Sequence, residues 1–133
     1  SSYYHEKKIS SVEGKFKTSE IISLSKKKIF LEQGIFDNDY GLCFQNIWVS
    51  YKRRYFKIGN NRITIDSNIF FQSPNKKLSY LEDKILIVEI KSNNPNVKEI
   101  FNNEIPYQRS RYSKYCIGIN LLYNKNHFQR LIK

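Results

Sequence analysis

Lys84-Ile-Leu-Ile-Val-Glu-Ile-Lys91 reads as the clearest strand in the chain, being short, rich in β-branched residues and free of Gly and Pro. Side chains alternate across a strand, so Glu89 and Lys91 share a face with Ile85 and Ile87. Leu86, Val88 and Ile90 form an unbroken apolar face opposite. A carboxylate and an ammonium on the half-buried face of a central strand are costly unless neighbouring strands or a bound ion compensate them.

Just upstream, Arg62-Ile-Thr-Ile-Asp66 alternates most cleanly, with Arg62, Thr64 and Asp66 on one face and Ile63 and Ile65 on the other. Gly59-Asn60-Asn61 predicts a hairpin turn back to a long strand over Ile47–Tyr55, which places Ile47, Val49, Tyr51 and Arg53 on one side. Asn68–Gln72 is expected as a further short strand, followed by a loop at Pro74. Downstream, Asn93–Pro95 ends the opening strand, and Val97–Asn102 is a helical turn closed by Pro106. The pattern from Ser113 to Tyr123 is helical, with Ser113 at the N-terminus and Tyr112, Tyr115, Ile119 and Leu122 on one side. Asn124–Lys133 is a polar tail.

The first third of the chain is plainer. Tyr3–Lys8 and Lys15–Thr18 predict two short strands around Gly14, with Glu6 and Lys8 on one face of the first and Lys15 and Lys17 on one face of the second. Ser19–Gln33 predicts a helix, whole or broken at Lys26-Lys27-Lys28, closed by Gly34. Ile35–Leu42 is expected as a loop.

At 133 residues, 40% hydrophobic and with 10 Tyr and 9 Phe, the chain suits one folded domain. The net charge of +11 favours polyanion partners: nucleic acid, phosphate chains or acidic membranes. A genome biased toward Asn, Lys and Ile codons would also raise the total, though it would not decide where the charges sit. Cys43 and Cys116 stand far apart without a Cys-x-x-Cys, and His5 and His127 are isolated, which excludes the usual zinc spacings. A reduced, cytoplasmic setting is the default expectation. No apolar run approaches the ~20 residues of a transmembrane helix, and no signal peptide is visible. The opening Ser-Ser-Tyr-Tyr, without Met, suits a piece of something longer.

Taken singly, each strand is an ordinary antiparallel strand with a buried apolar face and a solvated polar one. Taken together, the lone Glu89, the Arg62/Asp66 pair and the many cations suit a closed antiparallel barrel with a polar lumen. Four segments then resemble the VTC domain, in order and spacing: Trp48-Val-Ser-Tyr-Lys-Arg-Arg-Tyr-Phe56, Asn61-Arg-Ile-Thr-Ile-Asp66, Ile87-Val-Glu-Ile-Lys91 and Arg111-Tyr-Ser-Lys-Tyr-Cys-Ile-Gly118. This is the polyphosphate-polymerase branch of the CYTH-like triphosphate tunnel metalloenzymes. The resemblance runs from about Trp48 to Leu122.

That resemblance implies an α+β fold, an antiparallel β-tunnel or barrel with packed helices, one of them C-terminal near 113–123. It implies a single VTC-like domain over residues 1–133 that lacks the family's N-terminal strands, since no Arg-x-Lys-x-Arg strand precedes Tyr3. The tunnel wall is then incomplete, to be closed by a second chain or by sequence upstream. By position, the resemblance assigns Arg53, Arg62 and Lys114 to phosphate handling and catalysis, with Arg111 and Ser113 in the same basic cluster. Glu89 matches the glutamate that binds a divalent metal, Mn or Mg. Lys8 and Lys17 match phosphate-binding positions on the upstream strands, with Lys15 an equal claimant to the place of Lys17. The implied activity is polyphosphate-polymerase-like transfer from a nucleoside triphosphate to a phosphate chain, with triphosphate hydrolysis as a variant. The alternatives are a non-catalytic module binding polyphosphate or nucleic acid through its interleaved Tyr, Lys and Arg, or an inactive fragment.

Overall fold

The computed structural model describes residues 2–12, 14–94 and 110–123, so the turn expected at 97–102 and the tail from 124 onward lie outside the described residues. The chain divides into two compact units, Ser1–Gln45 and Asn46–Lys133. It is a mixed fold of mostly antiparallel strands with two helices among the described residues.

In the first unit, β1 (Tyr3–Ser11) and β2 (Gly14–Ile22) form an antiparallel ribbon in which Lys8 faces Lys17. Helix α1 spans Leu24–Gln33, not Ser19 onward as expected. The β-branched Ile21 and Ile22 prolong β2 against Tyr4 and Tyr3. Ser23 then caps the helix, its Oγ accepting the Lys26 N–H at 3.1 Å. Gly34 closes the helix at φ 82°, where a Cβ would meet the Cys43 carbonyl oxygen at 2.8 Å. The segment expected as a loop pairs as β3 (Ile35–Asp37) and β4 (Gly41–Cys43). Asp37 drives this turn: its Oδ1 accepts the N–H groups of Asp39 and Tyr40.

The second unit is built on β6 (Asn61–Gln72), which pairs on one edge with β5 (Trp48–Ile58). Its other edge is shared by β7 (Ser79–Glu82) along residues 69–72 and β8 (Ile87–Lys91) along residues 62–66. The strand expected from Lys84 is therefore shorter and is an edge strand rather than a central one. Lys84 leaves the ladder, giving its N–H to the Glu82 carboxylate, and Leu86 and Val88 remain exposed. Four strands arranged this way are too few to curl shut, and the described residues contain no closed barrel.

Asn68–Gln72 continues β6 instead of forming a strand of its own. Between the pairs Ser50–Phe70 and Lys52–Ser67, Tyr51 stands against two residues, and Asn68 takes up the extra one at φ 50°. This bulge reverses the alternation of β6. Ile69 and Phe71 thereby join Arg62, Thr64 and Asp66 on the face that also carries Val49, Tyr51, Arg53 and Tyr55 of β5. One end of that face is apolar and the other is charged.

Helix α2 (Lys114–Tyr123) covers the apolar end. Ile69, Phe71, Leu121 and Leu122 make the core, flanked by Ile47, Val49, Leu78, Tyr80, Ile87, Tyr112 and Ile117. Its buried side is Gly118, Leu121 and Leu122; of the stripe expected from periodicity, Leu122 is in the core and Tyr112 packs against it, whereas Ile119 is half-buried and Tyr115 stays exposed. Gly118 decides this rotation: a Cβ there would lie 2.4 Å from carbons of both Ile47 and Phe71, so only glycine lets the helix sit this close.

Candidate functional site

The charged end of the β5–β6–β8 face consists of three rows, each running across three strands. Nearest the helix, Arg53, Asp66 and Ile87 are cross-strand neighbours. Next come Tyr55, Thr64 and Glu89, and nearest the hairpin Lys57, Arg62 and Lys91. The hairpin turn is two residues long, with Gly59 at φ 55°, which fixes the β5–β6 register and hence the rows.

The first row is tightly made. Arg53 donates from Nε to Asp66 Oδ1 at 2.6 Å and from Nη2 to Oδ2 at 2.7 Å, a bidentate fork. Lys114, the first residue of α2, reaches the same Oδ2 at 2.6 Å. The Asp66 side chain is 2% exposed, against 25% for Arg53 and 22% for Lys114. The Arg53 hydrogen bonds, opposed by burial and joined by Lys114, pull the Asp66 carboxyl down to about 2, and the same carboxylate raises the Arg53 guanidinium. Tyr51 lies beneath both cations, its ring centroid 5.0 Å from the guanidinium carbon and 4.6 Å from the ammonium nitrogen. Ser113 caps α2, its Oγ accepting the Cys116 N–H at 3.3 Å, so this hydroxyl serves its own helix.

The outer rows are open. Glu89 and Lys91 pair at 3.2 Å with both side chains about half exposed, which corrects the expectation of a half-buried carboxylate. An edge strand leaves that side of the face to water. Lys57, Arg62 and Lys91 stand abreast as cross-strand neighbours, three like charges whose repulsion the Glu89 carboxylate offsets at Lys91. At the centre of the second row, Thr64 is buried, and its Oγ1 has no hydrogen-bond partner among the described residues.

The structure thus brings Arg53, Arg62, Glu89 and Lys114 to one face of one sheet. Arg111 is exposed just ahead of α2. Lys8 and Lys17 belong to the first unit, where Glu6 pairs with both, at 3.8 and 2.5 Å. Sequence reading placed Asp66 on the right face but missed its role as the carboxylate between two cations. The available signal was Arg53 on the facing strand, which needed an anion within reach. No group of three His, Cys, Asp or Glu side chains suited to a metal occurs among the described residues. Both cysteines are free and exposed. No helix among the described residues is long and apolar enough to cross a membrane.

The family model of the VTC domain matches residues 45–123, more than half of the chain. The chain belongs to the VTC domain family. No curated protein and no solved structure matches it. The VTC match begins one residue before the second unit and ends with α2, so it contains all three charged rows and leaves β1 to β4 outside. Membership carries a polyphosphate-related function in general terms.

Proposed function

We propose that the VTC unit binds a linear phosphate chain, a nucleoside triphosphate or polyphosphate, along the charged rows of its sheet, and that it serves phosphoryl transfer of the polyphosphate-polymerase kind. The observation that carries this reading is the common face of Arg53, Arg62 and Lys114. Phosphoryl transfer asks a protein chiefly for positioning and for charge opposite the transferring group, with no protein nucleophile. A chain laid along β6 would meet Lys114 and Arg53 first and the Lys57–Arg62–Lys91 row last. Four strand steps separate Asp66 from Arg62, roughly 13 Å.

Glu89, between these two cationic rows, suits a Mg or Mn ion that takes its remaining ligands from phosphate oxygens and water, as such ions commonly do. When bound there, the ion would neutralise charge on the phosphates. In this reading Arg111 just ahead of α2 adds to the cationic field, and a tunnel closed by a second chain or by upstream strands would exclude water from the face.

The test is titration of the full chain with tripolyphosphate, long-chain polyphosphate and single-stranded DNA, by calorimetry at fixed salt, with and without Mn. Expected are binding of both phosphate ligands, tighter for the long chain because it spans both cationic rows, and loss of that advantage in Arg62→Ala. Tighter binding of DNA than of polyphosphate, lost on Tyr55→Ala, would instead favour a nucleic-acid module stacking bases on the exposed Tyr55.

A further inference from the structure

The two cations nearest the helix are not presented to solvent as a bare positive patch, because a carboxylate stands between them. This raises a question of sign. Asp66 either competes with an incoming phosphate for Arg53 and Lys114 or prepares them for it. The geometry favours preparation. Asp66 takes Nε and one N–H of Nη2, and among the described residues no other carboxylate pairs with the remaining N–H groups, beside which the Tyr55 ring lies. On Lys114 it takes one of three ammonium hydrogens. Both cations are also fixed over the Tyr51 ring, so the pair is held from the side and from below.

We propose that Asp66 is a positioning residue: it holds Arg53 and Lys114 a fixed distance apart, with their remaining N–H groups turned to a single oxyanion of a phosphate chain. This inference rests on the phosphate-binding reading above and adds to it the residue that orders the site. Asp66 touches no ligand itself and acts through two residues on different elements, β5 and α2. It also offsets the repulsion between two cations that would otherwise spread apart. An ordered fork loses less entropy on binding than a free side chain does. The arrangement costs one unit of favourable charge and gains a defined geometry.

Removing the carboxylate therefore separates the two accounts by sign. Asp66→Asn raises the net charge by one. Simple electrostatics then predicts tighter tripolyphosphate binding, whereas positioning predicts binding weakened by about tenfold in Kd. A purely structural role would lower the unfolding midpoint and leave the affinity of the folded fraction unchanged. A second measurement, on the wild-type chain, covers the case in which the variant does not fold. It follows the Arg53 side-chain N–H signals by ¹⁵N–¹H spectroscopy during titration with tripolyphosphate. The expected result is a Nε–H signal that stays in place while the Nη signals shift. Loss or large displacement of the Nε–H signal means that phosphate evicts Asp66, and overturns the inference. So does wild-type binding with Asp66→Asn equal or tighter. Failure of the wild-type chain to bind tripolyphosphate at all overturns the phosphate reading, and this inference with it.

Discussion

The chain contains the same small charge group twice, one carboxylate between two cations, and the two copies behave differently. In the first unit Glu6 on β1 pairs with Lys8 and with Lys17 on β2, all on an exposed ribbon face. In the second, Asp66 on β6 pairs with Arg53 on β5 and Lys114 on α2. The composition is nearly identical, yet Glu6 is 35% exposed and Asp66 2%. Charge pairing alone does not make a site. What differs is the lid of α2, the planar fork of Arg53 in place of a lysine, and a third element that fixes the geometry.

The sharpest way to break this comparison is to delete each carboxylate's charge. Asp66→Asn leaves a guanidinium and an ammonium partly buried without their counter-ion, and is expected to lower stability by about 3 kcal/mol in urea unfolding. Glu6→Gln, with every partner solvated, is expected to leave the unfolding midpoint where it was. Equal effects from the two substitutions would show that burial by α2 is not what separates them.

The helix itself can be lifted. Gly118→Ala drives a methyl group into Phe71, which is fully buried, and into Ile47. Overpacking of this kind costs about 2 kcal/mol. Displacement of the helix should also bring Asp66 closer to the condition of Glu6, so Asp66→Asn should cost less in the Gly118→Ala background than alone. Strict additivity of the two changes would place the Asp66 group outside the reach of the helix.

Between the first and third rows, Thr64 has a buried hydroxyl with no hydrogen-bond partner among the described residues. Thr64→Val removes that unsatisfied group at nearly constant shape and should raise stability by about 1 kcal/mol. A lower midpoint would mean that the hydroxyl has a partner after all.

Legibility in the sequence followed the range of the interaction. Alternation over Arg62–Asp66 and the Gly59 turn are local, and they correctly set which residues share a face. Ser113 as the start of the last helix was equally plain, because capping is a local hydrogen bond. The bulge at Asn68 was not legible: Asn68–Gln72 reads well as a separate strand, and only pairing with β5 reveals one extra residue. The side of α2 that is buried depends on a contact between Gly118 and Phe71, far apart in sequence. Strand order was the largest loss. The alternation of Ile87–Lys91 says that it is a strand, but not that β7 and β8 divide one edge of β6, and so not that Glu89 is exposed. Asp66 was missed as a site residue for the same reason, since its two partners lie on other elements.

The smallest expected effect bears on the comparison most directly. Both carboxyls lie below their ordinary values, Glu6 chiefly through its hydrogen bond to Lys17 and Asp66 chiefly through Arg53. A carboxyl depressed in the folded state contributes stability that is complete above its unfolded value and is lost as the pH falls through its folded one. For Asp66 the window runs from 3.8 down to about 2. The stability difference between wild type and Asp66→Asn should therefore shrink across that range and be flat above it. Salt then separates the two groups. Ions of about 1 M screen exposed pairs within a few ångströms but hardly enter a covered one. In an NMR titration at that salt, the Glu6 midpoint should rise toward its ordinary value while that of Asp66 stays at about 2. A parallel rise of both would mean that water and ions reach the Asp66 group as freely as the ribbon. In that event Arg53 and Lys114 would be solvated surface cations like Lys8 and Lys17, without the fixed geometry a phosphate chain requires.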